Sequence, residues 1–247
     1  MRNRILDSTY PEYAAGGFTA VDGAVQFYTR VNALITPDDT VLDFGAGRGR
    51  AFDPERNPFL RRLALFKGRV KRVIGADVDP AIHDNPGLDE ALLIKPDASL
   101  PLGDETIDLI VSDNTFEHVD DAHAVAGELA RVLKPGGWIC ARTPHRWGVI
   151  ALGGRLVPNR FHARVVGRLQ PGRQGFDVFP TRYRMNTRRA LKRLFPTTQF
   201  RHAVHGWTPE PAYHANSPAL MAGFRALNWL TPPPLAPILM VFIQKRP

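Results

Sequence analysis

The stretch VLDFGAGRGR, residues 41–50, joins a short apolar run to three glycines at alternate positions, with Asp43 inside the run. Glycine has no Cβ and adopts positive φ, so a ligand can lie directly against a backbone built from it. In doubly wound sheets, ligands bind at the carboxyl ends of the strands. The stretch therefore predicts a first strand followed by a ligand-binding loop at Gly45 and Gly47, with a tight structural turn as the alternative.

Two familiar phosphate-binding patterns do not fit this loop. A dinucleotide fingerprint needs G-x-G-x-x-G, but Arg50 stands where its third glycine belongs. The acid of the next strand, Asp77, lies 28 residues after Gly49, beyond the spacing of about 20 that the fingerprint favours. The sequence also lacks G-x-x-x-x-G-K-[ST]. These departures favour a ligand with few negative charges.

Strand-like and helix-like segments alternate around the loop, which predicts a mainly parallel, doubly wound α/β sheet. The segment 120–133 has apolar residues at helical spacing, and KPGG follows it as a stop signal. A further helix is predicted over 186–195, with Asn186 near its N-cap, and another over 217–230. The predicted strands are 40–45, 70–77, 90–96, 106–113, 137–143, 198–207 and 236–246.

Composition indicates an ordinary globular protein of 247 residues, with 44% apolar and 23% charged residues. The single cysteine, Cys140, excludes an internal disulfide and favours a reducing compartment. The eight histidines show no spacing typical of a metal site. The longest apolar run, LAPILMVFI, is too short to span a bilayer, so we expect a cytoplasmic protein without a transmembrane segment, for which contact with a membrane surface stays open.

The net charge of +8 is concentrated in one part of the chain. Residues 1–140 hold 15 Lys/Arg against 22 Asp/Glu, whereas residues 141–205 hold 14 Lys/Arg and only Asp177. Such a segment either attracts an anionic partner or forms a solvated basic surface. Aromatic residues lie between its arginines and could stack on bases: Trp147, Phe161, Phe176, Phe179 and Tyr183.

Four segments in register resemble the motifs of class I S-adenosylmethionine-dependent methyltransferases of the small-molecule type. They are VLDFGAGRG, VIGADVD, PDASLPLGDETIDLIVSDNTFEHVDD and ELARVLKPGGWI, and together they cover roughly residues 38–142. The resemblance implies a seven-stranded Rossmann-like sheet with an antiparallel last strand and insertions after strands five and six. It also implies S-adenosylmethionine as the cofactor, which has no phosphates.

The resemblance further implies roles for individual residues. Asp77 would accept both ribose hydroxyls, and Asp97 with Ala98 would contact the adenine. Asp43 would order the glycine loop or receive the cofactor's ammonium through water, while Asp113 and Asn114 would face its methionine part. The predicted cofactor-binding set is Asp43, Phe44, Gly45, Ala46, Gly47, Asp77, Val78, Asp97, Ala98, Asp113 and Asn114.

Methyl transfer to a hydroxyl benefits from a nearby base. His118, just past the fourth strand, is the first candidate, although it could instead shape the start of the next helix. His145, at the end of the fifth strand, is the second candidate, and Tyr183 could line the acceptor site. The SDNTF segment lacks the prolines of exocyclic base-amine enzymes, and Cys140 lacks the context of a carbon-5 nucleophile.

We therefore expect a methyltransferase acting on a hydroxyl of a small molecule or glycan-like acceptor, which could be anionic. A nucleic-acid methyltransferase using residues 141–205 and a non-catalytic cofactor-binding module are the alternatives. The expected organisation is one domain, with these parts: a helical lead-in over 1–37, a cofactor-binding core over 38–142, and acceptor-side insertions over 143–186 and 207–235. The motif I helix departs from the family and is predicted to begin near Pro58.

Overall fold

A central sheet of seven strands organises the protein, in the order β3-β2-β1-β4-β5-β7-β6. The computed structural model describes residues 4–96, 99–149, 151, 180–212 and 214–247. Strands β1 to β5 run parallel, and β7 runs antiparallel to both of its neighbours, β5 and β6. The doubly wound Rossmann-like sheet and the antiparallel last strand are thus confirmed. The strands are β1 Thr40–Phe44, β2 Arg72–Asp77, β3 Glu90–Leu93, β4 Ile107–Asp113, β5 Leu133–Pro144, β6 Phe200–Trp207 and β7 Ile238–Lys245.

Helices cover both faces of the sheet, because successive strand residues point to opposite sides. On one face Leu42 and Ile110 pack with residues of α4 and α5, and on the other Val41 and Leu109 pack with residues of α2 and α3. Both faces are therefore apolar, as expected of buried parallel strands. The described α-helices are α1 Arg4–Thr9, α2 Gly23–Asn32, α3 Pro58–Ala64, α4 Ala122–Val132, α5 Arg188–Leu194 and α6 Pro218–Leu230.

Helix α3 begins at Pro58, as the sequence predicted. Asn57 caps it, since its side-chain oxygen accepts the N–H groups of Phe59 and Leu60. The stretch between the glycine loop and α3 contains only a short 3-10 turn, Arg50–Phe52. An extended loop therefore follows motif I before the helix that usually continues from it.

Most elements are a few residues shorter than predicted, and two boundaries differ for a physical reason. Helix α5 is capped by Thr187, whose hydroxyl accepts the N–H of Ala190, whereas Asn186 is fully buried and bonds elsewhere. Strand β5 begins at Leu133 rather than 137, so the KPGG turn lies inside the strand. Gly136 has φ +81°, and the pairing of β4 with β5 shifts register across this region. An irregularity that glycine permits therefore lets the chain enter the sheet directly from α4.

Candidate active site

The order of the strands reverses between β1 and β4, and the candidate site lies at their carboxyl ends. Strand β1 pairs with β2 on one side and with β4 on the other. Asp43 lies near the end of β1, and Asp77 and Asp113 end β2 and β4. The topology thus brings three of the predicted acids to one edge, at the place where open α/β sheets bind ligands.

The glycine loop follows a path that needs glycine. Gly45 has φ +82°, and a Cβ there would lie 2.0 Å from the Thr115 hydroxyl. Its N–H donates to the carbonyl of Ala76 at 2.8 Å. Gly47 has φ +48°, and its N–H donates to Asp77 Oδ2 at 2.7 Å. Beyond its amide the backbone at Gly47 is open, since a Cβ there would meet no atom nearer than Asp77 Oδ2 at 3.9 Å.

Asp77 is held in place by backbone donors on both oxygens. Oδ2 accepts the N–H of Gly47, and Oδ1 accepts the N–H of Asp79 at 2.8 Å. Each carboxylate oxygen has a second lone pair, so Asp77 can still accept from two hydroxyl groups. Val78, next to it, is exposed.

Asn85 supports the glycine loop from below, and the sequence analysis missed it. Its Nδ2 donates to the carbonyls of Ala46 and Gly47 at 3.1 and 3.2 Å. Its Oδ1 accepts the N–H of Gly87, and the side chain is buried. Asn85 lies far along the chain from the loop and carries no motif, so only the folded contacts identify it.

Asp43 is the unusual acid of the site. Among the described residues, none donates a hydrogen bond to its carboxylate. Burial, reinforced by the negative charges of Asp113 and Asp77, raises the pKa of Asp43 to about 7. A cation placed beside this carboxylate would favour its ionised form. Asp43 is therefore suited to a positively charged ligand group.

Asp113 lies in a two-point ion pair. Arg142 donates from Nε to Oδ1 and from Nη2 to Oδ2, both at 2.8 Å. The Asn114 amide adds a hydrogen bond at 2.9 Å, and the Tyr28 hydroxyl approaches at 3.4 Å. The predicted role of Asp113 and Asn114 toward the methionine part remains a prediction, but both oxygens of Asp113 already have partners. Arg142 was not singled out, although it is the β5 partner of Asp113 in the sheet register.

His118 has a defined tautomer. Its Nδ1 lies 3.1 Å from the carbonyl oxygen of Pro180, which only accepts, so Nδ1 carries the hydrogen. Nε2 is then the proton-accepting nitrogen of the neutral ring, 3.9 Å from Glu117 Oε1. The ring is partly exposed. This arrangement allows Nε2 to take a proton and Glu117 to stabilise the resulting charge.

A buried polar chain lies behind His118. The Thr143 hydroxyl donates to Glu117 Oε2 at 2.8 Å, and Asn186 Nδ2 donates to the Thr143 oxygen at 2.6 Å. The backbone N–H groups of Arg182 and Tyr183 both donate to the carbonyl oxygen of Glu117. Burial raises the pKa of Glu117. These contacts bring the predicted acceptor-side residue Tyr183 to the end of β4.

His145 occupies a different environment. The residue is buried, and its ring Nδ1 lies 3.2 Å from the carbonyl oxygen of Ala236. Its backbone N–H donates to the carbonyl oxygen of Pro237. Burial lowers the pKa of His145, so the ring is neutral near pH 7. The structure thus ties His145 to the chain entering β7, while its catalytic role remains a prediction.

Five of the residues singled out in the sequence lie outside the described residues. They are Asp97, Ala98, Phe161, Phe176 and Phe179. Over the described residues, no three His, Cys, Asp or Glu side chains cluster so as to hold a metal ion. In the same part of the chain, no helix combines the length and hydrophobicity that crossing a bilayer requires.

The fold and the site define a class of protein: a Rossmann-like α/β domain with a glycine loop and carboxylates in place of a phosphate cradle. Among solved structures, a protein from Thermotoga maritima described as "SAM-dependent methyltransferase, possible histamine N-methyltransferase" superposes with a TM-score of 0.56 at 16% identity, covering 99% of this chain and 97% of that one. A geranyl diphosphate C-methyltransferase from Streptomyces coelicolor gives a TM-score of 0.53 at 16% identity, over 91% and 76% of the two chains. At these identities the likeness shows the fold.

The family follows from the sequence comparisons. The model of the methyltransferase domain family matches residues 42–141. A probable S-adenosylmethionine-dependent methyltransferase of Mycolicibacterium smegmatis is 33% identical over 128 residues, covering 50% of this chain and 45% of that protein. An uncharacterized methyltransferase of Mycobacteroides abscessus is 28% identical over 161 residues, covering 59% and 58%. The chain thus spans about half the length of the curated relatives it matches. Residues 42–141 are a class I S-adenosylmethionine-dependent methyltransferase domain, and the predicted family and cofactor are confirmed.

The described residues fit this cofactor. Its cationic amino-acid end suits Asp43, which has no hydrogen-bond donor among the described residues. Its ribose diol suits Asp77, which keeps free lone pairs beside the loop. Its bulk suits the open backbone at Gly47.

Proposed function

We propose that this chain transfers the methyl group of S-adenosylmethionine to a hydroxyl oxygen of a small molecule or glycan-like acceptor. The observation that supports an oxygen acceptor is the tautomer of His118, whose Nδ1–H is engaged by Pro180, leaving Nε2 as the basic nitrogen. An amine acceptor needs only to be neutral, whereas a hydroxyl benefits from a base. The combination of a cofactor loop and a partly exposed base past β4 fits O-methylation best.

Residues at the carboxyl ends of β1 and β2 would bind the cofactor. When bound, the cofactor supplies a methyl carbon that its positive sulfur activates. Gly45 and Gly47 would let it approach the backbone, Asp77 would bind the ribose hydroxyls, and Asp43 would interact with its ammonium group. The predicted contact of Asp97 and Ala98 with the adenine belongs to the same proposal.

His118 would act on the acceptor. Its Nε2 would accept the proton of the acceptor hydroxyl, and Glu117 lies near enough to stabilise the resulting imidazolium. The bound cofactor would supply the methyl group, and its sulfur would keep the electrons of the broken carbon–sulfur bond, leaving S-adenosylhomocysteine. Thr143 holds Glu117 through a hydrogen bond from its hydroxyl, so the pair has a fixed geometry. His145 is the second candidate for the base.

Two measurements on the same variants test the proposal. We expect Asp77→Ala to weaken calorimetric binding of S-adenosylhomocysteine by about tenfold or more, because a two-point acceptor is lost. We expect His118→Ala to reduce transfer of labelled methyl to acceptors in a cell extract by about a hundredfold, with little change in that binding. His123→Ala, which changes an exposed histidine on α4, serves as the matched control.

The results separate the alternatives. An unaffected transfer rate in the His118→Ala protein would remove His118 as the base. No labelled product from cofactor-saturated native protein would favour the non-catalytic module. Mass spectrometry of the labelled product identifies the acceptor and the methylated atom.

The charge of residues 141–205 favours a second candidate, an RNA methyltransferase. Part of this charge is already engaged, since Arg182 and Arg184 lie 3.4 and 3.1 Å from Asp120. RNA binding through phosphates would weaken steeply as salt rises. Absence of RNA binding at low salt would reject this candidate.

A further inference from the structure

Helix α6 exposes the kind of surface that most helices bury. Of its 13 residues only Met221 is buried, while Trp229 is 84% exposed and Leu230 is 68% exposed. Arg225 is its only charged residue. The exposed residues on its surface are otherwise all apolar: Pro218, Ala219, Leu220, Ala222, Gly223, Ala226, Leu227, Trp229 and Leu230.

The exposed residues form a broad apolar face. At 100° per residue, positions 219, 220, 222, 223, 226, 227, 229 and 230 span about half of the helix circumference. The opposite side holds Met221 and Asn228, and the Asn228 amide donates to the carbonyl of Pro209 at 3.1 Å. Arg225 lies over the ring of Tyr10, 5.3 Å from its centre. The helix is therefore held by the side that carries Met221 and Asn228, and its broad apolar face points outward.

We propose that this face of α6 docks on an anionic membrane surface. Interfacial helices bury Trp and Leu side chains at the level of the lipid headgroups and take additional affinity from basic residues. Residues 211–247 contain no Asp or Glu, so no acid in that stretch opposes a negative surface. The whole chain carries a net charge of +8, which adds attraction to anionic lipid.

A basic and an aromatic residue, Arg146 and Trp147, follow β5 and lie next to His145. The guanidinium of Arg146 lies over the ring of the exposed Trp147, 5.4 Å from its centre. The neighbouring His145 bonds to Ala236 and Pro237, which lie in the connection between α6 and β7. Arginine and tryptophan are residue types that membrane interfaces favour.

The dimensions of α6 favour lipid over a second copy of the chain. A helix of 13 residues is about 20 Å long and about 10 Å wide, so the exposed half of its surface covers about 300 Å². A stable protein interface buries about 800 Å² on each partner. A fluid lipid surface has no such requirement, because a few anchoring side chains suffice for reversible binding.

Sedimentation with lipid vesicles tests the docking surface on the full chain. We expect the native protein to bind vesicles of equal parts phosphatidylglycerol and phosphatidylcholine roughly tenfold more tightly than vesicles of phosphatidylcholine alone. We expect the double variant Trp229→Ser with Leu230→Ser to bind the anionic vesicles about tenfold or more weakly. Leu93→Ser is the matched control, because Leu93 is 52% exposed but lies on the edge strand β3.

Each other outcome overturns the proposal. Equal binding of the double variant would place the contact elsewhere. Light scattering that shows a dimer, lost in the double variant, would assign the face to a second copy. A lowered melting temperature of that variant, with no vesicle binding by the native protein, would assign it to another segment of this chain. The measurement does not involve methyl transfer, so its failure leaves the proposed function unaffected.

Discussion

An aspartate lies at or near the carboxyl end of both β1 and β4, but only the aspartate of β4 is paired with a positive charge. Asp113 at the end of β4 is paired with Arg142, whereas Asp43 near the end of β1 has no donor among the described residues. The sheet register explains the difference. Arg142 of β5 is the partner of Asp113, while the partners of Asp43 are Gly75 and Val111, which offer no charge. The neighbouring strand therefore determines which carboxylate is structural and which is available to a ligand.

The largest expected effect on stability comes from removing the positive charge that pairs with Asp113. In Arg142→Met, the carboxylate of Asp113 stays largely buried without its partner, and we expect the free energy of unfolding to fall by about 3–5 kcal/mol. Urea unfolding at neutral pH measures it. The double variant with Asp113→Asn serves as the control, since removing the charge as well should restore most of the loss. Equal stability of the single variant and the native protein would contradict the structural role of the pair.

A smaller effect is expected where the two strand ends meet. In Gly45→Ala the new Cβ would collide with Thr115, which follows β4, and φ at this position is positive. We expect a loss of about 3 kcal/mol in unfolding free energy and a strong reduction in S-adenosylhomocysteine affinity. Gly68→Ala is a matched control, because Gly68 has φ +77° with nothing within 4 Å, so it should cost only about 1 kcal/mol. Similar losses in the two variants would show that backbone strain alone matters.

A pH-dependent effect is expected from the titration of Asp43. Its pKa is raised from 3.8 to about 7, so between these values the folded protein holds a proton that the unfolded chain has released. The contribution of Asp43 to stability therefore falls as pH rises from about 4 to about 7 and is constant above that. We expect the stability advantage of Asp43→Asn over the native protein to grow across this window and then level off. Parallel pH profiles of unfolding would contradict the raised pKa.

The same titration should appear in ligand binding. A cationic ligand group favours ionised Asp43, so native affinity for S-adenosylhomocysteine should decline below about pH 7, and the proton that Asp43 releases on binding should be absent in the Asn variant. Calorimetry in buffers of different ionisation enthalpy measures the proton released on binding. Identical proton release by both proteins would assign the titration to another group.

The sequence predicted those features that are encoded locally. The glycine spacing, Asp77 at the end of a strand and the order of the motifs indicated the sheet, the loop and the cofactor without any knowledge of long-range contacts. Asn85 and Arg142 were missed because their roles come from contacts with distant parts of the chain, Asn85 with the glycine loop and Arg142 with Asp113 on the neighbouring strand. Aligning the ends of the fourth and fifth predicted strands would have placed Arg142 beside Asp113.

The errors have a similar origin. Asn186 resembles a helix cap in the sequence, yet its amide bonds Thr143 and the carbonyl of Pro144, a preference that depends on the neighbouring strand. The KPGG turn resembles a break between elements, yet Gly136 lets it continue as strand. A surface-exposed apolar helix such as α6 shows the same periodicity as a buried one, so its sequence alone did not indicate its environment.

The reversal of β7 has an architectural consequence. In a wholly parallel sheet, the connection entering the last strand would end at the edge opposite the cofactor loop. Because β7 runs the other way, its first residue, Ile238, pairs with Pro144 and with Trp207 at the carboxyl ends of β5 and β6. The connection from β6 to β7 therefore both leaves and enters the sheet at the ligand side. A single inverted strand thus brings a second long connection to the edge of the sheet where the cofactor loop lies, in addition to the connection between β5 and β6.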